Sequence, residues 1–285
     1  MCVVTNQIDI GKSVVTIRIG SVNYHILNNN MHIISIAPKC RLIPVIRTKT
    51  ELFSETVSNA QKKYNLDVII NGPMCNVTWG GVGHALINDE AEASATTNIG
   101  YALFENTLHG STSPDMFYIA QKKDYSWVAG FGNLPNDSTF YSGMGGLSPL
   151  IINGMRYGKG NMYNRKLDDA NYSGEPKPEH KQFLIQRNNN TYRDLDTQNT
   201  KQKAGIGITG DGRVFIILQD PHIMYVTGHD AFRDTFVRYG CVSALAVDGS
   251  DSIFLNLCGN FKMKAGSSKN SLQTFGLGFR HDGTK

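Results

Sequence analysis

The chain has 285 residues, 40% of them hydrophobic and 18% charged, and it contains 29 glycines. This length allows one large domain with a substantial core, and the composition excludes a disordered protein or a long coiled coil, because apolar runs are frequent but Gly and Asn interrupt every long segment. The net charge of +4 is mild and no Lys/Arg block stands out, so no nucleic-acid partner is predicted.

The N-terminus and the cysteines bear on the compartment. No apolar stretch is long enough to span a bilayer, so no membrane association is predicted. The first residues lack the basic and then apolar order of a secretory signal. The five cysteines are odd in number and form no Cys-x-x-Cys pair, so we expect reduced, mostly buried thiols in a cytoplasmic protein.

The first elements in the chain are predicted to be strands. Residues 14–19 and 31–36 are rich in β-branched side chains, which favour strands. Three asparagines at 28–30 supply turn chemistry between them. Residues 42–46 form another short apolar run and predict a third strand.

A helix and a short strand follow. Apolar residues recur at helical spacing over 50–64, with Thr48 or Thr50 as the expected N-cap. Residues 67–70 form a short apolar strand, which runs directly into Asn71-Gly72.

The middle of the chain has weaker patterns. Residues 79–146 are rich in glycine and are predicted to be irregular, with short strands such as 116–120 between the loops. An apolar run then leads into Asn153-Gly154, a pair typical of a β-hairpin. Residues 158–202 are polar with almost no aliphatic side chains, which predicts a long surface insertion rather than a domain boundary.

The last third has the clearest patterns. Apolar runs flank Asp211-Gly212 and predict a second hairpin. A helix over 227–239 is expected to stop at Gly240, and an apolar strand over 242–247 runs into Asp248-Gly249. Residues 253–257 and 276–279 are strand-like. Together the elements predict an α+β fold: one domain over 1–285 with a mixed, mostly β-sheet core, a few flanking helices and long glycine-rich loops.

Two places in the chain share one design that suits a ligand site. In each, a helix precedes an apolar strand that ends abruptly in polar and glycine residues, namely Asn71-Gly72 and Asp248-Gly249. Open sheets place ligand groups at such strand ends, and glycine lets a ligand approach the backbone. Asp248 and Asp251 have the chemistry of an acid/base pair or of hard oxygen ligands. The alternative is a pair of ordinary tight turns, which pattern alone favours.

Other chemical signatures are weak. His84 lies in a glycine-rich loop and is the best histidine candidate for acid/base work, although an ordinary surface histidine fits the same pattern. The sequence has no His-Glu-x-x-His spacing, no P-loop lysine and no Gly-x-Ser-x-Gly elbow. We therefore predict no metal and no cofactor. Cys75 has no recognisable base and is treated as incidental.

The order of four segments resembles that of the phosphodiester glycosidase family, which includes the mannose-6-phosphate uncovering enzyme, an N-acetylglucosamine-1-phosphodiester alpha-N-acetylglucosaminidase. The segments are the strand and Asn-Gly loop at 67–72, the glycine-rich approach to a strand at 145–154, the strand and Asp-Gly hairpin at 203–212, and the run 240–252. Each motif is short, so the resemblance depends on their order, over roughly residues 30 to 280.

Three positions depart from the family pattern. Lys203 stands where the family has an arginine, which keeps a cation but loses a bidentate fork for phosphate. Asp251 adds a carboxylate to the loop that follows Asp248, and residues 268–271 lack the Glu and Arg of a later family segment. These departures allow a different glycosidic substrate. The absent signal sequence departs from secreted members and fits a phage-borne or contact-delivered protein.

The resemblance implies a hydrolase that cleaves a glycosidic bond of a small molecule or glycan carrying a phosphate, by analogy a sugar-1-phosphodiester. Asp248 would be the general acid/base or a structural anchor, and Lys203 would neutralise phosphate charge. The remaining substrate-binding residues implied are Asn71, Gly72, Gly249, Ser250 and Ser252, with Asp251 and His84 as further catalytic candidates. Two alternatives remain: a binder of a sugar-phosphate or nucleotide-like ligand without turnover, and a structural component of a viral or secreted assembly.

Overall fold

The computed structural model of the protein describes residues 13–27, 31–47, 52–73, 75–77, 96–98, 100–110, 117–157, 202–220, 227–249, 252–264 and 273–282. Almost all of the predicted insertion at 158–202 lies outside these residues. No described helix has the length and apolar character needed to cross a membrane.

The described residues form nineteen strands and two helices. The strands are β1 (Ser13–Ile19), β2 (Val22–Leu27), β3 (Met31–Ile36), β4 (Cys40–Ile46), β5 (Val68–Asn71), β6 (Cys75–Val77), β7 (Thr96–Asn98), β8 (Tyr101–Phe104), β9 (Thr107–Gly110), β10 (Phe117–Lys122), β11 (Trp127–Phe131), β12 (Phe140–Ile152), β13 (Met155–Arg156), β14 (Ala204–Thr209), β15 (Val214–Gln219), β16 (Cys241–Val247), β17 (Phe254–Leu257), β18 (Asn260–Lys264) and β19 (Phe275–His281). The helices are α1 (Phe53–Tyr64) and α2 (His229–Arg238).

The strands form two main antiparallel sheets that pack face to face. The large sheet has the order β1-β2-β3-β15-β14-β16-β12-β10-β11, with β8, β9 and β13 joined through β12. The smaller sheet has the order β18-β17-β5-β19-β4, and β6 pairs with β7 separately. Apolar side chains of both sheets, such as Ile206 and Leu245 from one and Ile70 and Leu277 from the other, share one buried core.

The two helices cover the outer faces of the sheets. Phe53 and Val57 of α1 pack on Ile43 and Ile69 of the smaller sheet. On the large sheet, the rings of Phe232 and Phe236 in α2 pack on the outer face. The layers are therefore helix, sheet, sheet, helix. The predicted mostly β core with few helices is confirmed, while the term α+β describes this fold only loosely.

The prediction of irregular structure over 79–146 is wrong for much of the part that is described, although the short strand expected at 116–120 is confirmed as β10. β12 is a strand of 13 residues that runs through Gly143 to Gly146 and joins both halves of the large sheet. Its glycines make room for neighbours: a Cβ on Gly145 would collide with the ring of Tyr101, and one on Gly143 would lie 2.8 Å from Leu134. Here glycine permits close packing between elements, which a pattern of local residues does not reveal.

The predicted helices and hairpins are confirmed with small shifts. α1 begins after Leu52 rather than at Thr48 or Thr50, and the Glu55 carboxylate accepts the free N–H of Leu52 at 3.1 Å. α2 ends before Gly240, which has a φ of +73°. Asn153 and Gly154 both have positive φ, as the predicted tight hairpin turn between β12 and β13 requires.

Candidate functional site

The two strand ends that the sequence singles out meet in space. β5 of the smaller sheet ends at Asn71, and β16 of the large sheet ends at Val247. Just beyond both ends, the backbone N–H of Asp248 donates to the carbonyl oxygen of Gly72 at 3.0 Å. The Asn71-Gly72 tip and the Asp248-Gly249 tip are therefore in direct contact. We call this region the polar end; it comprises Asn71, Gly72, Asp248, Gly249 and Gln273.

Asn71 joins the two sheets. Its side chain is fully buried. Its Nδ2 donates to the carbonyl oxygen of Asp248 at 2.7 Å, and its Oδ1 accepts the backbone N–H of Phe254 at 3.2 Å. An Asn amide offers a donor and an acceptor on one planar group, so it can satisfy two backbone groups that would otherwise be buried unpaired. Asn71 therefore positions the site; its contact with substrate stays a prediction.

Asp248 is half-buried and its carboxylate is held from two sides. Its Oδ1 accepts the backbone N–H of Gly249 at 2.9 Å, and its Oδ2 accepts Nε2 of Gln273 at 2.9 Å. Donors aimed at both oxygens favour the charged form of a carboxylate. Gln273 was not predicted from sequence. The only signal is a polar residue placed two positions before the apolar strand β19.

The two glycines of the polar end serve close backbone contacts. A Cβ on Gly72 would lie 2.6 Å from the carbonyl oxygen of Phe275, and one on Gly249 would collide with that of Gln202. The N–H of Gly249 donates to the Asp248 carboxylate at 2.9 Å. Ser252 is buried, and its N–H donates to the carbonyl oxygen of Gly249 at 3.1 Å.

Lys203 lies beside this region, immediately before β14. The contact between Gly249 and Gln202 places its backbone next to the carboxylate tip. Its Nζ donates to the carbonyl oxygen of Thr227 at 2.9 Å, on the side of α2. Burial lowers the pKa of the Lys203 ammonium to about 8. The neighbouring His229 is buried at the start of α2, and that burial lowers its pKa to about 4.

Three predicted site residues cannot be placed against this geometry. His84, Ser250 and Asp251 lie outside the described residues, so the pairing of Asp248 with Asp251 stays a prediction. Among the residues that are described, no group of three His, Cys, Asp or Glu side chains could hold a metal ion.

A different groove lies at the opposite end of the large sheet. It has a volume of about 480 Å³ and is formed by the turns between β10 and β11, β12 and β13, and β14 and β15. Its lining includes Trp127, Asp124, Asn153 and Asp211. We call this region the turn end. None of the described candidate site residues lies there.

Comparison with known proteins identifies the fold but no family. No protein-family model matches the chain, and no curated protein matches it. A zebrafish structure is similar over 92% of this chain and 80% of its own, with 12% identity and a TM-score of 0.55. That structure is the catalytic domain of N-acetylglucosamine-1-phosphodiester alpha-N-acetylglucosaminidase, auto-inhibited by its pro-peptide.

A hypothetical protein from Synechocystis is also similar, with 11% identity and a TM-score of 0.44 over 93% of this chain. The chain spans only 60% of the length of that protein. At these identities the likeness to the zebrafish domain concerns the fold alone. The resemblance noted in the sequence is thus supported at the level of fold.

Proposed function

We propose that the protein is a hydrolase that cleaves a glycosidic bond, and that its substrate is a sugar-1-phosphodiester. The observation that carries the proposal is the meeting of the Asn71-Gly72 and Asp248-Gly249 strand tips, which brings a half-exposed carboxylate to a glycine-lined edge between two sheets. The similarity in fold to a catalytic domain that acts on such a diester adds support.

The chemistry assigns Asp248 the part of a general base. In the proposed step the bond between the anomeric carbon and the phosphate oxygen breaks, and a water oxygen joins that carbon. Asp248 takes the proton from the water, since the donors from Gly249 and Gln273 favour its charged form. The phosphate monoester leaves as a stable anion, so it needs no proton from the enzyme.

Lys203 is proposed to favour an anionic substrate. Its side chain is half-buried and its backbone lies beside the strand tip that carries Asp248, where screening by water is weaker than at the surface. Because burial lowers the pKa of this lysine to about 8, its charge is present at neutral pH and is lost in mild alkali. Substrate binding should weaken over the same range.

The test is hydrolysis of the methyl phosphodiester of N-acetylglucosamine-1-phosphate, in which the free sugar that is released is measured. Asp248→Asn should reduce kcat by about a hundredfold or more, as expected for loss of a general base, while the fold is retained by circular dichroism. Asp211→Asn, the same change in the exposed turn between β14 and β15, is the matched control and should retain activity. Full activity in Asp248→Asn would contradict the proposal.

A binder without turnover is the second candidate, and one observation favours it. Both carboxylate oxygens of Asp248 and both polar atoms of the Asn71 amide are already bonded within the protein, as in a structural anchor. Calorimetric titration with N-acetylglucosamine-1-phosphate separates the candidates: binding of this monoester, together with no release of sugar from the diester after long incubation, supports the binder.

A further inference from the structure

We infer that Gln273 is a specificity residue: its amide holds the carboxylate of Asp248 with one atom and accepts a hydrogen bond from a hydroxyl or amide N–H of the bound sugar with the other. The inference rests on the proposed function for the presence of a sugar beside Asp248. It adds a residue to the site and assigns the substrate group that this residue would recognise.

The first step is the position of the side chain. Gln273 lies two residues before β19, and β19 pairs with β5 so that Gly276 faces Asn71. The start of β19 therefore lies at the polar end. From there Nε2 of Gln273 reaches across to the large sheet and donates to Oδ2 of Asp248 at 2.9 Å. The two residues belong to different sheets, so this contact also bridges the core.

The second step is the unused half of the amide. Gln273 is only 1% exposed, and its Oε1 is buried with no hydrogen-bond partner among the described residues. Buried polar atoms nearly always have a hydrogen-bond partner. We therefore expect the unpaired carbonyl oxygen of this candidate site to accept a hydrogen bond from a ligand. The amide cannot be turned around, because Oε1 would then face the Asp248 carboxylate as acceptor against acceptor.

Two other buried glutamines show that this fold ordinarily uses such amides to hold backbone. Gln121 is fully buried; its Oε1 accepts the N–H of Leu42 at 3.1 Å and its Nε2 donates to the carbonyl oxygen of Cys40 at 2.7 Å. Gln219 is 2% exposed, and its Oε1 accepts the N–H of Lys203 at 2.9 Å. Gln273 differs from both, since its acceptor is unpaired and its donor is bonded to a carboxylate.

The third step is the class of ligand group. An amide oxygen accepts hydrogen bonds and donates none, so it recognises O–H or N–H and not a phosphate oxygen. Oε1 and Nε2 of Gln273 belong to one planar amide, and Nε2 is bonded to Asp248. The donor that Oε1 recognises should therefore lie close to the reacting carbon. A sugar hydroxyl or acylamino N–H near the anomeric carbon meets this requirement. Replacing that donor by hydrogen should leave Oε1 unpaired and weaken transition-state binding.

The experiment compares the methyl phosphodiester of N-acetylglucosamine-1-phosphate with analogues that each lack one donor: the 3-deoxy, 4-deoxy and 6-deoxy sugars, and the 2-O-acetyl sugar, in which an ester oxygen replaces the acylamino N–H. In the wild-type protein one analogue should lose at least tenfold in kcat/KM, as expected for one neutral hydrogen bond. In Gln273→Met the same analogue should be used as well as the parent, within about threefold. Gln121→Met is the control and should keep the discrimination.

A second measurement distinguishes the hydrogen bond from Gln273 to Asp248 from a merely structural role of Gln273 in packing. Removing the Nε2 donor makes the charged carboxylate less favourable, so the acidic limb of the pH profile should move to higher pH in Gln273→Met and not in Gln121→Met. If Gln273→Met fails to fold, Gln273→Asn keeps the amide but shortens its reach, and the same two changes are expected.

The outcomes are distinguishable from those of the proposed function. If the diester is not hydrolysed, the proposed function fails, and the Kd values of N-acetylglucosamine-1-phosphate and its corresponding analogues become the readout. A donor preference in wild type that is lost in Gln273→Met supports the inference on either readout. A preference that survives in Gln273→Met, no preference in wild type, or neither hydrolysis nor binding would overturn it.

Discussion

The two ends of the sheet sandwich use the same residue types in different ways. At the turn end and in the loop before β12, Asp124, Asp137 and Asp211 each accept hydrogen bonds from a hydroxyl and a backbone N–H that lie two residues away in the chain. These bonds lower the pKa of each carboxyl, with the neighbouring Ser or Thr hydroxyl as the largest cause. Each carboxylate is satisfied by its own turn.

At the polar end the partners come from distant parts of the chain. Asn71 bonds to Asp248 and to Phe254, which lie 177 and 183 positions away, and Asp248 bonds to Gln273. The Oε1 acceptor of Gln273 has no hydrogen-bond partner within the described ranges. The contrast teaches that an Asp bonded to a Ser or Thr hydroxyl of its own turn is a structural feature, whereas a polar strand tip that is hydrogen-bonded across two sheets is the place to expect function.

The largest expected effect concerns the two hydrogen bonds by which the Asn71 side chain joins the sheets. Asn71→Ala should lower the free energy of unfolding by about 3 kcal/mol, because it leaves a buried N–H and a carbonyl oxygen unpaired at once. Asp211→Ala, which removes only bonds within an exposed turn, should cost well under about 1 kcal/mol. Urea denaturation of both variants measures the difference. Equal losses would show that the polar end is held no more tightly than a surface turn.

The second effect is the pH dependence of stability that arises from His229, at the start of α2. Burial lowers the pKa of His229 to about 4, with Lys203 and Arg233 lowering it further and Asp230 raising it. The unfolded state therefore binds the proton first, and stability should fall as the pH drops from about 6.5 toward 4. The loss between pH 7 and pH 4.5 should be about 2 kcal/mol.

The carboxylates of the turn end titrate at lower pH and should not contribute to this change, because their pKa values are lowered. Urea denaturation at both pH values checks this, with His229→Gln as the comparison variant. His229→Gln should be much less sensitive to pH over that range. An identical slope in the variant would place the acid-sensitive group elsewhere.

The third effect compares glycines. Gly249→Ala should cost at least about 1 kcal/mol, because the added Cβ collides with the backbone oxygen of Gln202 and the segments after β16 and before β14 must separate. Gly210→Ala, in the turn between β14 and β15, meets nothing within 4 Å and should be neutral or slightly stabilising. The unfolding temperatures of the two variants, compared with that of the wild-type protein, measure this difference. A neutral Gly249→Ala would mean that Gly249 and Gln202 are not in close contact.

The smallest effect concerns Lys203. With its pKa lowered to about 8, affinity for N-acetylglucosamine-1-phosphate should fall several-fold between pH 7 and pH 9, and Lys203→Arg should remove most of that fall because arginine stays charged. Calorimetric titration at the two pH values measures it. A fall of the same size in Lys203→Arg would assign the titration to another group.

Much of this arrangement could be predicted from sequence, for identifiable reasons. Asn71 and Asp248 follow apolar strands directly, and a buried strand that stops at a polar residue is a local signal of a sheet edge. The glycines of β12 misled the prediction, because they pack against Tyr101 and Leu134 from other elements. Gln273 was missed for a similar reason, since its partner is 25 positions away and nothing in the adjoining residues indicates the contact.

The most direct test of the account is where a sugar phosphate binds. Backbone amide NMR signals of the isotope-labelled protein should be followed during titration with N-acetylglucosamine-1-phosphate. We expect saturable shifts at Gly72, Gly249 and Gln273, and none at Ser126, Gly210 or Gly212 of the turn end. Shifts confined to the turn end, or no shifts anywhere at high ligand concentration, would contradict the account.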